Sequence, residues 1–312
     1  MKYIKYVFGI SILLLVIRAV DFASLKEAFS LISLADVALL LLISYALIAV
    51  SVLKWRAFLR YLGVHESFNR LFGLYLVGYF VNLVMPSYIG GDVVRALQVG
   101  GKGKKEASFS AMLLERYTGL AAMIVLAVAC VSVATVVTPE IRFATYSLGI
   151  AFFVGSVAAF LGICSRLMRL VRVPAKIVEK VAKIEEGVTF GVSHPPLLLK
   201  ASLLSLLFHT ITIVNTVAVA HAVGWTDPPL LDLFVVVPLI LLVGALPLSP
   251  QGLGIQEGAF FYFLHSVGAS EGEALAVALV LRAKSYFLAL LGGVILAVSK
   301  RKGVSPQAVV TE

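Results

Sequence analysis

Two stretches decide how this chain reads: Asn82-Leu83-Val84-Met85-Pro86-Ser87-Tyr88-Ile89-Gly90-Gly91-Asp92-Val93-Val94-Arg95, and Pro247-Leu248-Ser249-Pro250-Gln251-Gly252-Leu253-Gly254-Ile255-Gln256-Glu257. Each sets proline, glycine and charge inside an apolar run, one in each half of the chain. Proline removes a backbone donor and obstructs the preceding turn, while glycine opens conformations closed to other residues. Hydrocarbon cannot satisfy the freed backbone groups, so such breaks persist at membrane depth only where protein or a watery cavity surrounds them. Paired interruptions in corresponding positions of two halves point to a transporter-type binding site.

The rest of the chain agrees with a membrane setting. It has 312 residues, 60% hydrophobic and only 14% charged, with a mean hydropathy of +1.01. A soluble domain averages about 25% charged residues, so the expected class is all-α, a polytopic integral membrane helix bundle. The longest stretch suited to water, about Ser165 to Leu199, is too short for a core of its own. One transmembrane domain over residues 1–312 is therefore expected. Lys2 and Lys5 precede an apolar run from Tyr6 to Ile17 that Arg18 and Asp21 close. No convincing small-residue cleavage site follows, so the run reads as a retained first helix rather than a cleaved signal. Cys130 and Cys164 sit in or beside apolar runs and read as small packing residues.

A helix needs about 20 apolar residues to cross a hydrocarbon core about 30 Å thick. Crossings are expected near Tyr6–Val20, Leu34–Leu53, Ser110–Val137, Phe143–Ile163, Lys200–Val223 and Ala274–Val298. The formal net charge of +9 is concentrated in alternate loops, the pattern of cytoplasmic segments rather than of nucleic-acid binding. Lys2 and Lys5 form one cluster, and Lys54, Arg56, Arg60 and Arg70 a second. Lys102, Lys104 and Lys105 form a third, the cations from Arg166 to Lys183 a fourth, and Lys300 to Lys302 the last. All five are assigned inside, both termini with them. The segments Asp21–Asp36, Pro139–Arg142, Gly224–Pro229 and Gly268–Glu273 are neutral or acidic and are assigned outside.

This assignment makes each broken segment enter and leave on one face, the first from inside and the second from outside. Leu71 to Val84 makes about 21 Å of helix, short of a comfortable span. Each break then reads as the bend of a re-entrant hairpin, or of a hairpin of two tilted helices. A crossing helix follows each one, with cations about ten residues in: Glu115-Arg116-Tyr117 in the first, Leu281-Arg282-Ala283-Lys284 in the second. The repeated order predicts inverted repeats over about 70–137 and 231–298, with the hairpins meeting near the bilayer midplane. Chance similarity between glycine-rich membrane sequences is the alternative.

Asp92 and Arg95 lie one helical turn apart after Gly90-Gly91, and a helix opening at Gly91 would aim free amides at the break, as in an anion site. A structural ion pair at the hairpin tip is the plainer reading. Intramembrane charges are expensive on insertion scales, about 2.5–3.5 kcal/mol each, which favours a task for them. Glu257 with Arg282, and Asp92 or Glu115 with Arg116 or Arg95, are the natural pairs. Surplus cations suit an anionic headgroup, and the arginine fork suits phosphate. The candidate pocket thus comprises Asn82, Pro86, Gly90, Gly91, Asp92, Arg95, Glu115, Arg116, Pro250, Gly252, Gly254, Glu257, Arg282 and Lys284. Snorkelling of Glu115, Arg116, Arg282 and Lys284 to the interface is the alternative. His209, Thr212 and Thr216, with Asn215 alongside, read as interhelical hydrogen-bonders, a substrate path being the other option. Ala151, Gly155 and Ala159 read as a close-packing stripe. Val171 to Val188 reads as an amphipathic helix on the inner leaflet or a solvated linker.

Other chemistry finds no support. The five histidines lack metal-ligand spacing, and Gly101 to Lys105 lacks the serine or threonine and the strand of a phosphate-binding loop. Gly252 and Gly254 lack the context of a dinucleotide fingerprint, and no serine sits in a nucleophile elbow. No catalytic residue, metal ion, cofactor or nucleic-acid partner is expected.

The run Asn82…Pro86…Gly90-Gly91-Asp92…Arg95, then Glu115-Arg116, then Pro250-x-Gly252-x-Gly254-x-x-Glu257, resembles the membrane region of lysylphosphatidylglycerol synthases. The same region occurs in a wide group of flippase-like membrane proteins of bacteria and archaea, and the resemblance covers roughly Leu34 to Val298. In the synthases this region adjoins a soluble aminoacyl-transfer domain, and in some archaeal relatives a glycosyltransferase domain; neither falls within these 312 residues. The resemblance therefore implies lipid movement rather than lipid synthesis: a flippase for an anionic phospholipid or polyprenyl-phosphate lipid. The alternative is a membrane-embedded transferase, or an accessory subunit of envelope or glycan assembly partnered by a lipid-modifying enzyme or glycosyltransferase. A transferase would need a general base, for which Asp92 or Glu257 would have to serve.

Overall fold

The computed structural model describes residues 2–301 apart from 86–89, 101–103, 171–172, 176–177, 180–181, 183–185, 187–188, 191–192 and 247. Pro86, Pro247, Lys102 and most of the expected inner-leaflet helix lie outside the described residues. Among those described, all regular structure is helical: α1 (Lys2–Ala19), α2 (Phe22–Ser30), α3 (Leu34–Tyr61), α4 (Phe68–Val84), α5 (Gly90–Gly100), α6 (Lys105–Val131), α7 (Pro139–Phe160), α8 (Ile163–Leu170), α9 (Pro195–Ala222), α10 (Leu230–Gly244), α11 (Ile255–Ser266) and α12 (Glu271–Arg301). Of these, α3, α6, α7, α9 and α12 are long and apolar enough to cross a membrane.

Helix ends follow capping rather than hydropathy. Ser33 and Asp36 form a reciprocal capping box that starts α3, and the helix runs past Leu53 to Tyr61. Lys54, expected in a cationic loop, is instead a buried residue within that helix. The expected outer loop from Asp21 contains α2, begun by the Asp21 carboxylate accepting from the Ser24 amide at 3.1 Å. Helix α6 stops at Val131, six residues short of the expected end, because the segment after it is held by other means. The Asp232 carboxylate accepts from the amides of Val136 at 2.7 Å and Val137 at 2.8 Å, and the Arg142 guanidinium donates to the Val131 carbonyl at 2.7 Å.

The helices on either side of each break pack against one another. Arg70 at the start of α4 donates to the Gln98 carbonyl near the end of α5 at 3.4 Å, and the Gly91 amide donates to Asn82 Oδ1 at 2.7 Å. Helices α4 and α5 therefore pack antiparallel, and α10 packs against α11 across the second break. In each hairpin a glycine of the break lies against a glycine carbonyl of the first arm. A Cβ on Gly91 would overlap the Gly78 oxygen, and one on Gly252 would come within 2.6 Å of the Gly244 oxygen, where φ is already +68°. The first arms are exchanged between the halves: α4 packs on α12 and α10 on α6, while α5 packs on α6 and α11 on α12.

Loops gather at two ends. At one, Lys104 donates to the Gly63 carbonyl at 2.9 Å and the Tyr61 ring meets Phe190 and His194. At the other, Asp232 holds the turn after α6, Gly224 lies against Leu31 and Gly272 against Ser24. The first end carries cationic loops and the second the neutral and acidic ones. Two apolar clusters match these ends, one around Trp55, Phe58, Leu71, Leu114 and Ala201, the other around Val131, Val219, Leu233, Leu264 and Leu275. Helices α3, α6 and α9 contribute to both clusters and place their polar residues between them.

Two packing expectations change. Nothing lies within 4 Å of a Cβ on Gly155, and Ala151 is exposed, so the stripe faces outward; α7 meets α6 through Gly149 against Val128 instead. Thr212 and Thr216 donate to carbonyls of their own helix, Phe208 and Thr212, as hydroxyls one turn on can. Of these four side chains, His209, against the Gly119 carbonyl at 2.9 Å, and Asn215 bond between helices.

Candidate functional site

The middle turns enclose a cavity of about 670 Å³ lined from both halves. Asn82, Asp92 and Arg95 reach it from the first hairpin, and Gln251, Gln256 and Glu257 from the second. Helix α6 adds Glu115 and Arg116, α12 adds Arg282 and Lys284, α3 adds Lys54, and α9 adds His209 and Asn215.

In the first half the charges form a connected network. Asp92 opens α5 and accepts from Arg95 Nε at 3.0 Å and from Arg116. Arg95 Nη2 donates to Glu115 at 2.8 Å, and the Tyr75 hydroxyl donates to the other oxygen of Glu115. The Arg95 guanidinium lies between two rings, 4.0 Å from the centroid of Tyr75 and 4.6 Å from that of Trp55. Its side chain is 3% exposed, whereas that of Arg116 is 47% exposed.

The second half holds one tight pair. Glu257 is 1% exposed; one oxygen accepts from Arg282 and the other from the Gly254 amide at 2.7 Å. Arg282 also donates to the carbonyls of Gln251 at 3.0 Å and Gly252 at 3.3 Å, and to Gln256 Oε1 at 3.3 Å. Gln251 sits at φ +52°, a left-handed conformation that non-glycine residues hold only when their surroundings impose it. Here the guanidinium fork imposes it, by collecting the two carbonyls that the break frees.

These contacts correct two expectations. The Gly91 amide is not an open anion seat, since it donates to Asn82, and the Gly254 amide likewise donates to Glu257. Arg282 does not present its fork to a ligand, because that fork is spent on the break. Gly90, Gly91, Pro250, Gly252 and Gly254 shape the bends without lining the cavity, and Pro86 lies outside the described residues. The pairs Glu257–Arg282, Asp92–Arg95, Asp92–Arg116 and Glu115–Arg95 are all present.

Lysines supply the remaining charge. Lys54 Nζ donates to Ser205 Oγ at 3.1 Å and Lys284 Nζ to Asn215 Oδ1 at 2.6 Å, both neutral acceptors. The cavity thus sets five basic side chains against three carboxylates, each carboxylate already bound to an arginine. Lys54, Trp55, Tyr75, Gln251 and Gln256 were not singled out from sequence. The signal for Lys54 was a cation followed by Trp55 and Phe58 in unbroken helical phase; the others carried none.

The class is now defined: a polytopic helical membrane protein whose two broken segments line one charged internal cavity. The chain belongs to the family of the lysylphosphatidylglycerol synthase TM region, whose model matches residues 3–293. It is similar to a UPF0104 membrane protein of Methanothermobacter thermautotrophicus, 22% identical over 315 residues and covering 93% of each chain. No solved structure matches it.

Proposed function

We propose that this protein moves a lipid with an anionic headgroup, a phospholipid or polyprenyl-phosphate lipid, between membrane leaflets. The observation that carries this reading is the convergence of both breaks on one cavity with a surplus of positive charge inside an apolar bundle. A charge kept at membrane depth without a carboxylate partner favours an anion as its working partner. The transferase alternative is weaker, because Asp92, Glu115 and Glu257 are each held by arginine and none is placed as a base. An accessory role beside a lipid-modifying enzyme or glycosyltransferase is compatible with the same cavity.

The orientation follows from loop charge. Cationic loops at one end support an inside assignment for that end, with both termini cytoplasmic; the plasma membrane is the location proposed with it. The hairpins opening toward opposite ends, with exchanged first arms, support an inverted repeat within one transmembrane domain. In a chain with Cys130 and Cys164 replaced, Asp227→Cys is expected to react with an impermeant thiol reagent on intact cells. Lys104→Cys is expected to react only after permeabilisation; the reverse pattern would overturn the orientation.

The function is tested by reconstituting purified protein in vesicles and following labelled phosphatidylglycerol, polyprenyl phosphate and phosphatidylcholine. The anionic lipids are expected to cross at least tenfold faster than in protein-free vesicles, and phosphatidylcholine to lag behind them. No acceleration of any anionic lipid would remove the proposal.

A further inference from the structure

The ion pairs in the cavity match completely: Arg95 and Arg116 against Asp92 and Glu115, and Arg282 against Glu257. What remains is Lys54 and Lys284, and they do not sit together. Lys54 is anchored on Ser205 and Lys284 on Asn215, ten residues further along the single helix α9. That separation is about 15 Å along the helix axis, so the two ammonium groups are anchored at different levels of the cavity. Lys54 is 6% exposed yet faces the cavity, beside the network of the first hairpin. Lys284 faces it from α12, with the amide of Asn215 as its partner. Between the two anchors α9 turns Phe208, His209 and Thr212 toward the same cavity, so an imidazole and a hydroxyl line most of the interval.

We infer that Lys54 and Lys284 are two separate phosphate-binding stations at the two ends of a polar track along α9. A lipid phosphate mono- or diester occupies them in turn. The inference rests on the proposed lipid movement only for its order of events; the two stations are binding sites in their own right. Each lysine can leave its neutral acceptor at little electrostatic loss and donate to a phosphate oxygen, which an arginine locked to a carboxylate cannot do as readily. A lysine is a compact charge on a flexible stem, suited to passing a headgroup on rather than fixing it in a bidentate grip.

The test uses the full-length protein in nanodiscs of phosphatidylcholine, titrated with short-chain phosphatidylglycerol, inorganic phosphate and short-chain phosphatidylcholine. Binding is read by calorimetry and movement by the vesicle assay. Lys54→Gln and Lys284→Gln are each expected to retain phosphatidylglycerol binding with half the stoichiometry, and to lose movement at least tenfold. The double variant is expected to bind none, while Lys54→Arg and Lys284→Arg keep the binding. Lys200→Gln, an exposed position on α9, is expected to match the unsubstituted protein in both readouts. Equal response to inorganic phosphate and phosphatidylglycerol would mean a site for free phosphate and overturn the lipid assignment. Undiminished binding in the double variant would overturn both stations. If the unsubstituted protein moves no lipid but the binding pattern holds, the stations stand and the proposed function fails.

Discussion

Glu257→Gln is expected to abolish lipid movement and to lower the amount of folded protein that survives extraction. Its side chain is the most enclosed charge of the site, and its two oxygens serve the Arg282 guanidinium and the Gly254 amide. Glutamine keeps the volume and can still accept from one of these groups, but it leaves a guanidinium uncompensated in low dielectric. Breaking a buried pair from one side costs about 3–5 kcal/mol, a large share of the stability of a typical domain. Arg282→Lys is expected to be almost as damaging: one ammonium cannot reach Glu257, the Gln251 and Gly252 carbonyls and Gln256 together. The double variant Glu257→Gln with Arg282→Met should recover thermal stability relative to either single change and remain inactive, since the bend loses its clasp. Melting temperature in detergent, membrane abundance and the vesicle assay separate these effects. A Glu257→Gln protein with unchanged abundance, melting and movement would show that the pair has neither role.

Gly91→Ala carries the second large effect. The added methyl would overlap the Gly78 carbonyl and crowd Asn82 Oδ1, and two of the three nearest atoms are main chain. No rotamer change can relieve a clash with backbone, so α5 must move away from α4. That displacement breaks the Gly91–Asn82 hydrogen bond and shifts Asp92 and Arg95 relative to Glu115 and Arg116 on α6. Overpacking of this kind costs about 1–3 kcal/mol, occasionally more, and here it also dislocates the charge network. The expected result is a melting temperature lower by several degrees and loss of movement, with Gly155→Ala unchanged as the control, since nothing crowds that position. A Gly91→Ala variant that melts and transports normally would mean that the hairpin arms are not held at this distance.

Much of this was legible beforehand because membranes constrain sequence severely. Apolar length located five of the six expected crossings; the first, Tyr6–Val20, falls on α1, which is not among the helices long and apolar enough to cross. Alternating loop charge separated the two ends. The misplaced boundaries have physical causes. A hydropathy window stops at the first cation, so Lys54 ended the second crossing on paper, whereas the backbone has no reason to stop there and continues in helical phase to Tyr61. The window likewise ran on through Val137, where Asp232, about a hundred residues later, draws the chain out of helix by accepting three successive amides. Hydroxyls at helical spacing could not say whether they bond across or back along their own helix, because both options satisfy the donor.

The amino-acid sequence by itself determined that this is a helical membrane protein with two charged breaks, and which carboxylates and arginines are available to pair, because unpaired charge and freed backbone are too costly in hydrocarbon to occur without partners. Only the tertiary structure decided how those partners are used. It brings α4 onto α12 and α10 onto α6, closes the arginine fork of Arg282 on the carbonyls of its own break, and sandwiches Arg95 between Trp55 and Tyr75. It thereby leaves Lys54 and Lys284 as the cavity's two charges without a carboxylate. Pairing is a property of distance between elements far apart in the chain, and no local pattern encodes it.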